Sequence, residues 1–83
     1  MTSPSLTPER HRALKLLVSN RYGISAELLV RDHGVHRKVV AGLVRRGLAV
    51  AEHEMTKGDD QAIEVVWIRI TTAGRKALAA STY

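Results

Sequence analysis

The stretch SAELLVRDHGVHRKVVAGLVRRGL, residues 25–48, decides the fold. It contains two helical patterns separated by a break at His33-Gly34. Ser25 is an N-cap candidate whose hydroxyl can accept from the free N–H groups of a first turn, and Glu27 suits the positive end of the helix dipole. Leu28 and Leu29 supply the apolar side, so the spacing predicts a short helix over 26–32. Beyond the Gly34 turn, Val39, Val40, Leu43 and Val44 form paired apolar positions four apart, and Gly47 stands where a left-handed C-cap would fall. A further helix over 36–46 follows.

Upstream, Thr7-Pro8 marks a helix start: the threonine hydroxyl can cap, and proline at the first helical position gives up a donor that had no partner. Leu14, Leu17 and Val18 recur at helical spacing, which predicts a helix over 8–19 and leaves residues 1–6 as a loose tail to a domain over 7–83. Downstream the period becomes extended. Leu48–Thr56 and the β-branched run Ala62–Ile70 read as strands, joined through the turn residues Lys57-Gly58-Asp59-Asp60-Gln61 as a hairpin. Thr71 caps a last helix over 72–80, whose Leu78 can dock on the core. The expected order is helix, helix, helix, strand, strand, helix, an α+β fold that is mainly α.

Two short helices joined by a glycine-containing turn and followed by a hairpin predict a helix-turn-helix with an appended wing. With the valines and Leu43 of the third helix toward the core, Arg37, Lys38, Ala41 and Arg45 stand opposite, and 37, 41 and 45 share one face. Such a surface suits the major groove, where Arg and Lys reach phosphates or guanine edges. His36 is placed to cap this helix or touch a phosphate, and Arg46 lies where the helix dipole favours a cation. Arg37, Lys38, Ala41, Arg45, His36 and Arg46 are therefore the candidate contacts to double-stranded DNA, with the helix 1 cations Arg10, Arg12 and Lys15 flanking.

The segment from Ser25 through Leu43-Val44-Arg45-Arg46-Gly47-Leu48 resembles the helix-turn-helix of MarR-like winged-helix regulators, and Ile70-Thr71-Thr72-Ala73-Gly74-Arg75-Lys76-Ala77-Leu78 is similar to that family's "L-T-x-A-G-R-x-x-L" after the wing. The resemblance implies a winged helix-turn-helix whose third helix reads DNA and whose hairpin tip lies near the backbone or minor groove. Gly42 weakens the interior of the third helix by about 1 kcal/mol relative to alanine. Asp59 and Asp60 beside Lys57 make the hairpin tip a poor guest for a minor groove.

Composition agrees with these elements. The 83 residues carry 13 Lys+Arg against 8 Asp+Glu, a formal net charge of +5, with 45% hydrophobic residues. Residues 1–47 hold nine basic side chains against three acidic ones, whereas residues 48–70 hold two against five. The basic excess thus lies on the helical part. The absence of cysteine excludes a disulfide framework, a thiol nucleophile and thiolate zinc sites. Apolar runs such as Val65-Val66-Trp67-Ile68 fall far short of the roughly 18 residues a membrane span needs, and the first residues lack a basic and then apolar leader, so a cytoplasmic protein without membrane contact is expected.

His33 and His36 with Asp32 do not make a metal site, because Gly34 breaks the helix that would align them. No catalytic constellation, cofactor motif or small-molecule effector site stands out, and an enzyme is not expected. Trp67 is expected to pack in the core or on the hairpin. A specific DNA target would call for a homodimer, formed through the hairpin or the last helix. The alternative reading is a winged-helix module that binds protein through the strand face around Trp67 and the acidic wing.

Overall fold

A computed structural model describes residues 7–58 and 60–81; the expected tail, Asp59 and the last two residues of the expected domain lie outside that range. The described residues form four helices and one antiparallel sheet, in the order α1 (Pro8–Val18), β1 (Ile24–Ser25), α2 (Ala26–Arg31), α3 (Arg37–Arg45), β2 (Ala49–Lys57), β3 (Ala62–Ile70) and α4 (Thr72–Ala80). The strands run β1-β3-β2 across the sheet.

The helix starts are set by side chains that take up free N–H groups. Thr7 Oγ1 accepts from Arg10 N at 3.2 Å, Ser25 Oγ from Leu28 N at 3.1 Å and Thr71 Oγ1 from Gly74 N at 3.0 Å. α3 begins at Arg37 and not at His36, because His36 is its cap: its Nδ1 accepts from Lys38 N at 3.1 Å. Arg46 is likewise the C-cap, so α3 is one residue shorter at each end than the spacing predicts. Ser19 and Asp32 are C-caps in the same way and shorten α1 and α2.

The strand order corrects the expected one, which lacked β1. Ile24 and Ser25 pair with Ile68 and Trp67, adding a third strand before α2. Gly23 makes this approach possible. It has φ +94°, and a Cβ there would stand 2.6 Å from Arg69 Cγ and 2.8 Å from the Ile68 carbonyl oxygen, so both backbone conformation and space demand glycine.

The core consists of Leu14, Leu17, Leu29, Leu43 and Ile68, each at most 2% exposed, with Ala13, Ile24, Val35, Val40 and Ala49 around them. Burial of each large aliphatic side chain contributes about 1.5–3 kcal/mol. Alternation along the strands sends Ala49, Ala51, Val66, Ile68 and Ile70 into this cluster, so the helices cover one face of the sheet. Beyond Ala51 and Val66 the hairpin leaves the core; Met55 and Ile63 are 62% and 54% exposed. The hairpin is closed by Gly58 N donating to Gln61 O at 2.9 Å. α4 docks through Leu78 and Ala77, and its first turn is tied back to the end of α3, where Thr71 N donates to Leu48 O at 3.1 Å and Thr71 Oγ1 to Gly47 O at 2.6 Å. Among the described residues no helix is long and apolar enough to cross a membrane.

Candidate nucleic-acid interface

The orientation of α3 is fixed by the turn before it. Val35, 2% exposed, plugs into the core, and its N–H donates to Leu29 O at 2.8 Å. Arg12 of α1 reaches across, with Nη1 donating to His33 O at 2.9 Å and Nη2 to Gly34 O at 3.2 Å. A guanidinium on two carbonyls is a charge-assisted clamp. Arg12 is therefore committed to holding the α2–α3 turn and is not a free flanking cation. With the turn held and Val40 and Leu43 buried, the rest of α3 is presented outward.

The candidate side chains form two adjoining surfaces and not one. Arg10, Lys38, Ala41, Gly42, Arg45 and Arg46 line a groove of about 390 Å³ between the N-terminal part of α1 and the outer side of α3. Its cations come from two helices, and its lining includes the two smallest residues of α3. Gly42 borders this groove, where a Cβ would stand at ordinary contact distance, 3.8 Å, from Arg10 Nη2. The second surface is apolar. Arg37, Ala41 and Arg45, aligned as their spacing predicts, border about 440 Å³ of groove between α3 and the sheet, lined by Val30, Val44, Val66 and neighbours. Ala41 and Arg45 belong to both surfaces. His36 and Lys38 also line a hollow shared with Glu9 and Arg12 at the start of α1.

Charge pairing occupies two of the other basic side chains, Arg31 and Arg69. Arg31 bonds Glu27 at 3.0 Å and lies 3.5 Å from Asp32, Arg69 pairs with Glu52 at 2.9 Å, and His53 Nδ1 lies 3.0 Å from Glu64. Among the described residues, Arg10, Arg37, Lys38, Arg45 and Arg46 have no acidic partner within 4.0 Å. Asp32 and Glu52, the acids nearest α3 in sequence on either side, are occupied by Arg31 and Arg69.

Arg10 deserves more weight than its sequence suggests. Arg10 stands on the side of α1 that carries the buried Ala13, Leu14 and Leu17, and the crossing of α1 over α3 sends it to the groove and Arg12 to the turn. Trp67 packs on the hairpin and not in the core, its Nε1 donating to Glu54 Oε1 at 3.2 Å. Among the described residues no group of three or more His, Asp or Glu side chains is placed to hold a metal ion. Comparison with family models, curated proteins and solved structures yields no match for this chain.

Proposed function

We propose that the domain is a winged helix-turn-helix that binds double-stranded DNA, with α3 in the major groove and the β2–β3 hairpin as the wing, and that it acts as a small transcriptional regulator. The observation that carries this reading is the convergence of Arg10, Lys38, Arg45 and Arg46 on one groove lined by Ala41 and Gly42, without acidic partners among the described residues. Unpaired cations around a lining without bulk suit a phosphate backbone, whose neutralisation releases counterions. Arg37 and Ala41, at the rim of the apolar groove, face the base edges in this arrangement, the alanine methyl suiting a thymine methyl. His36 serves through the cap that starts α3. A single module of this size has limited affinity, and a specific target is bound by two copies on half-sites about one helical turn apart.

The test is a titration with duplex DNA at several salt concentrations, for the wild-type chain and for Arg37→Glu/Arg45→Glu. With about five phosphates neutralised, the slope of log K against log salt is near −4.5, and the double reversal abolishes binding. Binding that persists unchanged in the double variant refutes the role of α3. No binding at low salt refutes the DNA reading altogether.

A further inference from the structure

The face of the sheet turned away from the helices carries an arrangement that DNA binding does not use. Because Ala49, Ala51, Val66 and Ile68 point to the helices, strand alternation places Glu52, Glu54, Trp67 and Arg69 on the opposite face, with Glu52 directly across from Trp67. Tyr22, from the loop between α1 and β1 and 79% exposed, completes the lining of a hollow of about 310 Å³. The indole N–H donates to Glu54 Oε1 at 3.2 Å, and Arg69 Nε to Glu52 Oε1 at 2.9 Å. Each of these contacts uses one oxygen of its carboxylate, which leaves acceptor capacity on both.

Two aromatic rings beside two carboxylates suit an organic cation, and of the protein cations the guanidinium suits them best. A guanidinium is planar, stacks on an aromatic face and donates several N–H bonds in a fixed fork to carboxylates. Arg69 already shows half of this match from within the chain. We propose that the hollow binds an arginine side chain presented by a basic segment of a partner protein. Charge complementarity supports this occupant: Glu52 and Glu54 outweigh Arg69, so the lining is net negative although the chain is +5. Trp and Tyr are also the side chains that most often anchor such contacts. This surface lies on the opposite side of the sheet from the core on which α3 packs, so the proposal does not depend on DNA binding.

The single tryptophan provides the readout. The full chain is titrated with a capped tetra-arginine peptide, and with tetraglutamine as control, while Trp67 emission is followed. A saturable change with the arginine peptide alone is expected. Glu52→Gln/Glu54→Gln weakens it by about fivefold or more, in line with two exposed charge pairs, and Tyr22→Ala weakens it as well. Glu27→Gln/Glu64→Gln makes the same charge change away from the hollow and leaves the affinity as it was. Emission that does not respond to millimolar peptide overturns the proposal, as does equal weakening by the two double variants.

Discussion

Gly42 and Gly74 both lie inside helices, and on helix propensity alone either would gain about 1 kcal/mol on replacement by alanine. Their surroundings give the two substitutions opposite signs. A Cβ at position 74 would overlap the Leu48 carbonyl oxygen and stand 2.8 Å from Ile70 Cγ1 and 3.1 Å from the Leu48 carbonyl carbon. That carbonyl belongs to backbone and is fixed, since it accepts from Thr71 N at 3.1 Å. Relief requires the first turn of α4 to move away, which loosens this bond and the 2.6 Å bond from Thr71 Oγ1 to Gly47 O. At about 1 kcal/mol for each bond and 1–3 kcal/mol for overpacking, less the propensity gain, Gly74→Ala loses about 2–4 kcal/mol. At position 42 the nearest atom is the end of a flexible arginine 3.8 Å away, so Gly42→Ala keeps a gain of about 0.5–1 kcal/mol. Urea unfolding followed through Trp67 emission separates the cases. With a slope of about 1 kcal/mol per molar urea, the midpoint falls by about 2–4 M for Gly74→Ala and rises by about 0.5–1 M for Gly42→Ala. A neutral or stabilised Gly74→Ala variant would refute the close docking of α4 on the end of α3.

Arg12→Ala frees the His33 and Gly34 carbonyls and costs about 1–2 kcal/mol in urea unfolding. In salt titrations with duplex DNA it weakens binding with no change of slope, because Arg12 positions α3 without contacting phosphate. Arg10→Ala instead reduces the magnitude of that slope by about 1, whereas Arg31→Ala, whose cation is held by Glu27 and Asp32, leaves it unaltered. His36→Ala removes the acceptor for Lys38 N and lowers stability by about 1 kcal/mol, and His36→Asn, which can cap in the same way, restores most of it.

What could be read in advance was whatever a single element encodes by itself. α3 was legible because Val39, Val40, Leu43 and Val44 repeat at helical spacing between a capping position and Gly47. The hairpin was legible because a β-branched run follows a cluster of turn residues. β1 was not, because two residues are too few to show alternation, and Ile24-Ser25 is a strand only by virtue of pairing with Ile68 and Trp67, 42 or more positions away. The fate of Arg10 and Arg12 was half hidden: two residues apart they stand on different sides of α1, Arg10 on the side of Ala13, Leu14 and Leu17, but what each meets depends on how α1 crosses the α2–α3 unit. Trp67 sits in an apolar run that suggests burial, and only the register with Glu52 and the bond to Glu54 place it on the open face.

The net charge of +5 conceals a separation between the helical layer and the hairpin. Free carboxylates on the hairpin repel any polyanion drawn to the unpaired cations of α1 and α3. Along the strands Glu52 is matched by Arg69, Glu64 lies 3.0 Å from the His53 ring and Glu54 accepts from the Trp67 indole, whereas Asp60 at the tip has no ion pair among the described residues. Their remaining field is short-ranged and points from the sheet, whereas the unpaired cations of α1 and α3 lie on the helical layer. At physiological salt, with screening over about 8 Å, a polyanion meeting the helical layer and a cation meeting the outer sheet encounter different local charges on a domain only two layers thick. Neutralising Arg69 would therefore be felt first at the outer face, as a freed Glu52 carboxylate that strengthens capture of a basic peptide while the salt slope for DNA stays as it is.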